Sequence, residues 1–523
     1  MRDFHSPGRS EVLALNGMCA TSHPLAAQAA ISLLQAGGNA VDAAIGAAAV
    51  LSVCEPHMCG PGGDMFALVK PAGTEQVVGL NASGRAPAAL SADALRAAGH
   101  RDMPLHDAAA VTLPGAVDGF CRLSERFGRL ELAHVLAPAI AHAEQGVPVA
   151  PRVAFDWARV RHLQGAARAK FLPGGAPPKT GDIWRDPGLA EVLRRIATQG
   201  RAGFYEGEVA EDIIASLQSL GGVHTAEDLA GTRSEWTEPV RGPYRGVELI
   251  EHPPNGQGAT AILMAAILSH FDLGGLDPLG AVRIHLEAEA ARLAYDARNR
   301  FIADPSLAAT EAMLDPATAA RLAALIDPER ARPDLEAAAG AVHRDTVYLC
   351  VVDADRMAVS LIYSIYHGFG SGLASERFGI LFQNRGAGFN LIPGHRNEAA
   401  GAKRPMHTII PGMIARDGRI ETVFGVMGGA YQPAGHVRFL ANREDFGMEL
   451  QAAIDAPRSF PDGGVLQLER GIGAAVRADL AARGHRLATP EGPLGGAQAI
   501  VIRPDGVLEA GSDPRKDGCA IGF

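Results

Sequence analysis

Cysteine is scarce in this sequence, which contains six cysteines among 523 residues. So few cysteines exclude a disulfide-stabilised secreted framework. Cys54 and Cys59 enclose His57, an arrangement that could hold a metal ion. No second pair of ligands with matching spacing follows, and small buried thiols are common in protein cores. We therefore expect no metal site at this position.

Long apolar runs and an excess of positive charge are also lacking. The longest apolar stretch, residues 43–53, has eleven residues, which is too short to cross a bilayer. The first thirty residues contain no apolar segment typical of a signal peptide. Lys and Arg number 48 against 58 Asp and Glu, a formal net charge of −10 that argues against nucleic-acid binding. We expect a soluble cytoplasmic protein with no membrane or nucleic-acid partner.

The remaining composition is that of an ordinary globular protein, with 47% hydrophobic and 20% charged residues. Ser22 is a plausible cap for a first helix, and Asn39 for a second, nearly all-apolar helix over residues 40–53. The glycine-rich residues 60–63 lack the Lys-Ser/Thr ending of a phosphate-binding loop and precede a strand. We interpret them as a tight turn.

The pattern changes about two thirds of the way along the chain. Residues 112–333 indicate mostly helices, with loops at 173–187 and 242–258, and residues 333–340 are a linker candidate. Two β-branched, apolar runs follow, at residues 346–352 and 357–365, separated by a short turn; they predict a β-hairpin. Helices and strands then alternate to the C-terminus. The whole predicts an α+β layered fold.

Thr346 begins this hairpin and is a candidate nucleophile. Cleavage of the Asp345–Thr346 bond would give Thr346 a free α-amine beside its own hydroxyl. An α-amine has a pKa near 7.7–8.0, so it can act as general base without a histidine. Downstream, Gly428 and Gly429 follow a strand-like run, where backbone N–H groups can converge on an oxyanion. These features indicate a self-cleaving hydrolase.

Short motifs spread over nearly the whole chain resemble those of the γ-glutamyltransferases (glutathione hydrolases) and their acylase and amidohydrolase relatives. Each motif is modest alone, but the ordered set is highly specific. The motifs are GGNAVDAA at 37–44, EPHM at 55–58, LPGAVDGF at 113–120, FYEG at 204–207, EAARLAY at 289–295, KRP at 403–405 and SDPRKDG at 512–518.

The resemblance implies an N-terminal-nucleophile hydrolase with a four-layer αββα sandwich. Such a protein is made as a proenzyme and cut into a large subunit, here residues 1–345, and a small catalytic subunit, residues 346–523. By the same resemblance Thr346 is the nucleophile, and Ser364 matches a threonine whose hydroxyl assists cleavage and orients the nucleophile. Gly428 and Gly429 match the oxyanion pair. No metal or organic cofactor is implied.

The sequence departs from the family pattern where the substrate is held. Ser83 occupies the position of an arginine that grips the substrate α-carboxylate, and Arg85 lies two residues further on. The Gln and Asp that hold the α-amino group correspond to Arg385 and Gly388. A Ser-Ser pair is replaced by His407 and Thr408, and an Asn by Tyr366. These last three residues, with Arg385 and Arg85, are candidate substrate-binding residues.

The replacement at residue 385 changes the charge that the site can accept. Arg385 repels a substrate ammonium group and favours a carboxylate, whereas Gly388 offers an ammonium group no partner. The resemblance then favours the oxamate-amidohydrolase-like branch, which hydrolyses the amide of a small acid. For Arg385 itself the alternative is a surface or inter-subunit ion pair.

Two other functions stay open. One is a true glutathione hydrolase or transpeptidase in which Arg85 replaces the missing arginine. The other is an unprocessed, non-catalytic binding protein, against which Thr346, Ser364 and the glycine pair argue. His285 and Glu287 resemble structural family positions rather than metal ligands. The expected partners are a small amide substrate and the two subunits of the protein itself, with a further dimer possible.

Overall fold

Two antiparallel seven-stranded sheets lie at the centre of the protein. The computed structural model describes residue 5 and residues 8–332 and 346–523. Its strands are β1 (Val12–Ala14), β2 (Met18–Thr21), β3 (Asp64–Lys70), β4 (Val78–Ala82), β5 (Val147–Pro148), β6 (Ile183–Trp184), β7 (Glu235–Thr237), β8 (Val240–Tyr244), β9 (Val247–Glu251), β10 (Val347–Val352), β11 (Ala358–Ser364), β12 (Gly412–Arg416), β13 (Arg419–Met427), β14 (Ser459–Asp462), β15 (Val465–Leu468), β16 (Leu487–Ala488), β17 (Gly496–Ile502), β18 (Leu508–Ser512) and β19 (Cys519–Gly522). The first sheet has the order β1-β18-β17-β13-β12-β9-β8, and the second β19-β2-β10-β11-β3-β4-β7.

Helices cover the outer face of each sheet. They are α1 (Pro24–Gln35), α2 (Ala40–Cys54), α3 (Ala92–Ala97), α4 (Ala116–Phe127), α5 (Leu132–Gln145), α6 (Pro151–Trp157), α7 (Gly165–Phe171), α8 (Pro187–Gln199), α9 (Ala202–Tyr205), α10 (Gly207–Ser219), α11 (Ala226–Ala230), α12 (Gly258–Leu268), α13 (Ala281–Phe301), α14 (Glu311–Leu314), α15 (Pro316–Ala323), α16 (Gln432–Glu444), α17 (Leu450–Asp455) and α18 (Ala474–Ala482). One apolar cluster joins α1, α2, α4 and α5 to the second sheet, and another joins α12, α13 and α16 to the first. A third lies between the sheets. The predicted four-layer αββα sandwich is thereby confirmed.

The two predicted N-terminal helices are present, but only one starts as expected. Asn39 caps α2 in a capping box with Asp42, and every residue of α2 is buried. The cap predicted for α1 is wrong. Ser22 Oγ instead donates a hydrogen bond to Glu55 Oε1 at 2.5 Å, and the His23 side chain accepts from the backbone N–H of Leu25. The buried carboxylate competes successfully for the serine hydroxyl.

The predicted hairpin is confirmed as β10 and β11, which pair antiparallel from Val347↔Tyr363 to Val352↔Ala358. The loop predicted over residues 242–258 is wrong, because it contains the end of β8 and all of β9. Gly242 and Pro243 are residues typical of loops, yet β8 is the outermost strand of its sheet. An edge strand tolerates proline, since one side of its backbone needs no ladder partner.

A tyrosine ring fixes the register between the two sheets. Tyr348 on β10 lies against Gly425 on β13, where an added Cβ would be 2.3 Å from the ring. The Tyr348 hydroxyl shares a 2.8 Å hydrogen bond with Ser360 Oγ, which in turn donates to the Phe424 carbonyl at 3.2 Å. These contacts place the start of β10, and thus Thr346, near the end of β13, after which Gly428 and Gly429 follow.

Gly425→Ala is expected to destabilise the protein by about 1–3 kcal/mol, because the new methyl group overpacks the layer between the sheets. Thermal unfolding followed by calorimetry measures the effect as a lower Tm. Gly473→Ala is the matched control, since nothing lies within 4 Å of an added Cβ there and the backbone has an ordinary φ of −65°. Equal melting temperatures for the two variants would contradict the role assigned to Gly425.

Asp345 and the linker candidate at residues 333–340 lie outside the described residues. Within residues 8–332 and 346–523, none of the helices combines the length and the apolar character needed to cross a bilayer.

Candidate active site

Thr346 lies directly before β10 and is 1% exposed. The hairpin register, with Val347 opposite Tyr363, places Thr346 opposite Ser364 at the end of β11. Thr346 Oγ1 donates a hydrogen bond to Ser364 Oγ at 3.2 Å. Strand pairing alone therefore brings together the two hydroxyls predicted to act in the site.

Two further donors lie within hydrogen-bond distance of Ser364 Oγ. The backbone N–H of Tyr366 donates to it at 2.9 Å, and Arg385 Nη2 is 3.4 Å away. A guanidinium this close stabilises negative charge on the neighbouring hydroxyl oxygens, because their surroundings have a low dielectric constant. Ser364 can thus orient Thr346 and favour the loss of the threonine proton.

Arg385 is a fully buried cation. Nη1 donates to Thr408 Oγ1 at 2.9 Å, and the guanidinium carbon lies 4.0 Å from the centre of the Tyr366 ring. Among the described residues, Nε has no hydrogen-bond partner, and no carboxylate lies within 4 Å of the side chain. Burial lowers the pKa of Arg385 to about 10, so the group is still charged at neutral pH. The Asp64 carboxylate offsets part of this charge from beyond ion-pair distance, and a bound anion would offset more.

Tyr366 holds its ring over Arg385 in an unusual backbone conformation, with φ of 80°. For a bulky residue, a left-handed φ typically costs about 1–3 kcal/mol. The structure places the ring where it shields one face of the guanidinium from water. Tyr366 and Arg385 were both candidate substrate-binding residues, and both lie beside Ser364.

His407 and Asp64 form a buried pair behind Arg385. His407 Nδ1 accepts from the Ile409 N–H, so Nε2 carries the proton and donates to Asp64 Oδ2 at 3.1 Å. Burial and the neighbouring Arg385 charge hold the pKa of His407 well below its usual range. Burial also raises the pKa of Asp64 to about 6, although Gln383 donates to its other oxygen at 2.9 Å. Both His407 and Asp64 are committed to this internal pair.

Gln257 connects the glycine pair to the rest of the site. Gly428 and Gly429 have φ of 124° and 58°, a turn that side-chain-bearing residues rarely adopt. Gln257 Nε2 donates to the carbonyls of Thr408 at 2.6 Å and Gly429 at 3.1 Å. A continuous path of contacts thus runs from Thr346 through Ser364, Arg385, Thr408 and Gln257 to Gly429. Sequence reasoning missed Gln257 and Asp64; each is a polar residue in an otherwise apolar or glycine-rich run, which is a weak signal.

Arg85 does not belong to this network. Its side chain is 39% exposed and pairs with Glu235 at 3.0 Å and Asp304 at 3.3 Å, and it donates to the Ala402 carbonyl at 2.9 Å. Ser83, at the position of the family arginine, is buried and donates to Asn81 Oδ1. The structure therefore brings one of the two candidate arginines to the site, and that one is Arg385.

Gly388 leaves no space for a side chain. An added Cβ would be 2.6 Å from the Met406 carbonyl oxygen and 3.4 Å from Pro405 Cβ. An acidic residue could not stand here without a backbone shift. The local backbone, as well as the sequence, therefore excludes an acidic side chain at residue 388.

His285, Glu289 and His485 form a buried cluster that deserves comparison with a metal site. His285 Nδ1 and His485 Nε2 share a 2.8 Å hydrogen bond, and His285 Nε2 donates to the Asp327 carbonyl. Glu289 is paired with Arg292 at 2.6 Å. Glu287, the other residue considered from the sequence, pairs with Arg283. These partners indicate a structural cluster that joins α13 to the segment after α18.

Comparison with known proteins identifies the family. The gamma-glutamyltranspeptidase family model matches residues 26–523. A glutathione hydrolase-like YwrD proenzyme of Bacillus subtilis is 35% identical, over 98% of this chain and 99% of the relative. An oxamate amidohydrolase proenzyme of Klebsiella pneumoniae is also 35% identical, over 98% and 100%. A crystal structure of cephalosporin acylase from Bacillus halodurans matches with a TM-score of 0.91 at 38% identity, over 100% of this chain and 99% of that one.

These matches cover the whole sandwich, including both central sheets and the segment around Thr346. The relatives in sequence are proenzymes that differ in the substrates their names state. The chain therefore belongs to the gamma-glutamyltranspeptidase family of self-processing N-terminal-nucleophile hydrolases.

Proposed function

We propose that the protein is an N-terminal-threonine amidohydrolase that acts on the amide of a small carboxylate-bearing acid of the oxamate type. Maturation begins when the Thr346 hydroxyl attacks the carbonyl carbon of Asp345. The peptide bond becomes an ester, and water hydrolyses the ester. The products are a carboxylate at residue 345 and a free α-amine on Thr346, which begins the small subunit.

In the mature protein the Thr346 amine takes the proton from its own hydroxyl, which attacks the substrate amide carbon. The N–H groups of Gly428 and Gly429 stabilise the tetrahedral oxyanion. The proton passes to the leaving amine as the C–N bond breaks, and water hydrolyses the acyl-enzyme. Ser364, at 3.2 Å from Thr346 Oγ1, holds the nucleophile in position.

The observation that carries the substrate assignment is the buried guanidinium of Arg385, 3.4 Å from Ser364 Oγ, which forms no ion pair within 4 Å among the described residues. A carboxylate can accept two hydrogen bonds from such a group, whereas an ammonium is repelled. The nearby carboxylate of Asp64 is committed to His407 and Gln383, so it offers no partner to a substrate ammonium. A γ-glutamyl substrate, which carries an α-ammonium group, is therefore disfavoured.

A substrate panel tests this proposal. We expect the processed protein to hydrolyse oxamate and other short amic acids with a kcat/KM at least about tenfold higher than its kcat/KM for glutathione. A tenfold ratio corresponds to about 1.4 kcal/mol of discrimination between the two charge types. Acylated amino compounds without a nearby carboxylate are the neutral comparison. The measurement is release of ammonia or amine.

Two results would contradict the proposal. A preference for glutathione would favour a glutathione hydrolase with a rearranged substrate grip. A chain that remains a single band on a denaturing gel and has no activity on any member of the panel would favour a non-catalytic binding protein.

A further inference from the structure

A cavity lies beside the candidate active site. It has a volume of about 470 Å³ and is lined by four histidines, His57, His106, His162 and His367, together with Phe155 and Phe369. Thr346 and Arg385 are not among its lining residues. A volume of this size is typical of small-molecule pockets. Oxamate, whose leaving group is ammonia, has no part that would need it.

Asn384 ties the cavity wall to the active site. Asn384 Oδ1 accepts from the His367 N–H at 3.2 Å, and Asn384 Nδ2 donates to the carbonyl of Leu105, another lining residue, at 3.0 Å. The next residue in the chain is Arg385. His367 and Gly368, which also line the cavity, directly follow Tyr366, whose N–H donates to Ser364 Oγ. The cavity therefore adjoins the Thr346 centre, with the Tyr366–His367 segment at the boundary.

The arginines and carboxylates that line the cavity are equal in number, two of each. Arg152 pairs with Asp156 at 2.7 Å, and Arg159 pairs with Glu491. Burial lowers the pKa of His106 and His162, that of His162 to about 4, so both rings are neutral at physiological pH. A cavity without net charge gives no advantage to an ammonium group or to a second carboxylate.

The walls are flat and contain unused polar atoms. The His106 and His162 rings stack with centroids 4.0 Å apart. Among the described residues, both ring nitrogens of His57 and Nε2 of His162 are buried without a hydrogen-bond partner, and the nearest carboxylate oxygen to His57 Nε2, on Asp156, is 3.6 Å away. Buried polar atoms of this kind favour a ligand that supplies donors or acceptors.

We propose that this cavity receives the amine half of the substrate, and that this half is a flat, uncharged aromatic or heteroaromatic amine. The inference rests on the proposed function, since Arg385 and Thr346 hold the acid half. The preferred substrate is then an N-aryl amic acid rather than a primary amide. When the C–N bond breaks, the amine receives the proton that Thr346 gave up and remains in the cavity until it is released.

The test compares N-phenyloxamic acid with oxamate, as the ratio of their kcat/KM values, in the full-length processed protein. We expect a ratio of at least ten. Val160 lines the cavity, and Val160→Trp should lower the ratio at least tenfold by filling the space. Val223→Trp, at a 44% exposed position that is not among the lining residues, should leave the ratio within twofold. Val160→Leu should lower the ratio by a smaller factor. It replaces Val160→Trp in the test if the Trp variant does not fold.

Failure of this inference is distinguishable from failure of the proposed function. If the ratio is below ten in the parent, or is unchanged in both Val160 variants, the cavity assignment is overturned. The ratio of kcat/KM values is also measured for γ-glutamylanilide, an aryl amide, against glutamine, a primary amide. If only the γ-glutamyl pair is hydrolysed and Val160→Trp lowers its ratio, the cavity assignment stands and the proposed function fails.

Discussion

Thr346→Ala is expected to leave the protein as one uncut chain of 523 residues without amidohydrolase activity. No hydroxyl remains to attack the Asp345 carbonyl, and no nucleophile remains for the substrate. The parent protein should instead give fragments of 345 and 178 residues, since 523 − 345 = 178. Removal of a nucleophile can lower kcat on the order of 10⁶-fold. A denaturing gel and intact mass measure the cut, and the substrate panel measures activity.

Thr346→Ser is the matched control, because it keeps a hydroxyl at the same position. We expect it to be cut, more slowly than the parent, and to retain measurable activity. Both variants should keep the fold of the parent, because neither substitution enlarges the buried side chain at residue 346. Processing of the Ala variant at the same bond would show that Thr346 does not perform the cleavage.

Arg385→Gln should lower kcat/KM for oxamate by about 100-fold or more. The variant loses the cation that pairs with the substrate carboxylate, and removal of one member of a buried charge pair costs about 3–5 kcal/mol. Arg385→Lys keeps the charge but loses the planar two-pronged donor, so we expect an intermediate loss. Steady-state kinetics on oxamate and on γ-glutamyl-p-nitroanilide, using fully processed protein, measure both effects.

Arg85→Gln is the control for Arg385. Its guanidinium is paired with Glu235 and Asp304 at a partly exposed position, so its loss should change kcat/KM for oxamate by no more than a few-fold. If Arg85→Gln has the larger effect, the substrate is held by Arg85 and the assignment of Arg385 is wrong. If the parent already prefers the γ-glutamyl compound, the charge argument fails.

Local patterns predicted the elements that depend on local physics. The β-branched runs on either side of the turn at residues 353–355 predicted the β10–β11 hairpin. The register of that hairpin alone places Thr346 opposite Ser364. Asn39 predicted the start of α2 because its capping box is formed within four residues. The family resemblance supplied the four layers, which no periodicity in this chain specifies.

Contacts between distant segments were beyond prediction from the sequence. Asp64 meets His407 across 343 positions, and Gln257 reaches Gly429 across 172. Neither pair has a local pattern, because each forms only when segments distant in the sequence come together. Strand β8 was missed for the opposite reason: its Gly-Pro pair is a strong local signal for a loop, and only its position at the sheet edge permits a strand.

The order of strands in the two sheets determines how the protein must be made. Strands from before residue 333 and from after residue 345 are neighbours at five junctions, two in the first sheet (β1–β18, β12–β9) and three in the second (β19–β2, β2–β10, β11–β3). Neither fragment contains all the strands of either seven-stranded sheet, and each alone would expose unpaired edges that promote aggregation. In the proposed maturation, folding must therefore precede cleavage before Thr346. Synthesis as one chain would give equal amounts of both pieces, and the backbone ladders across the five junctions would hold them together after the cut.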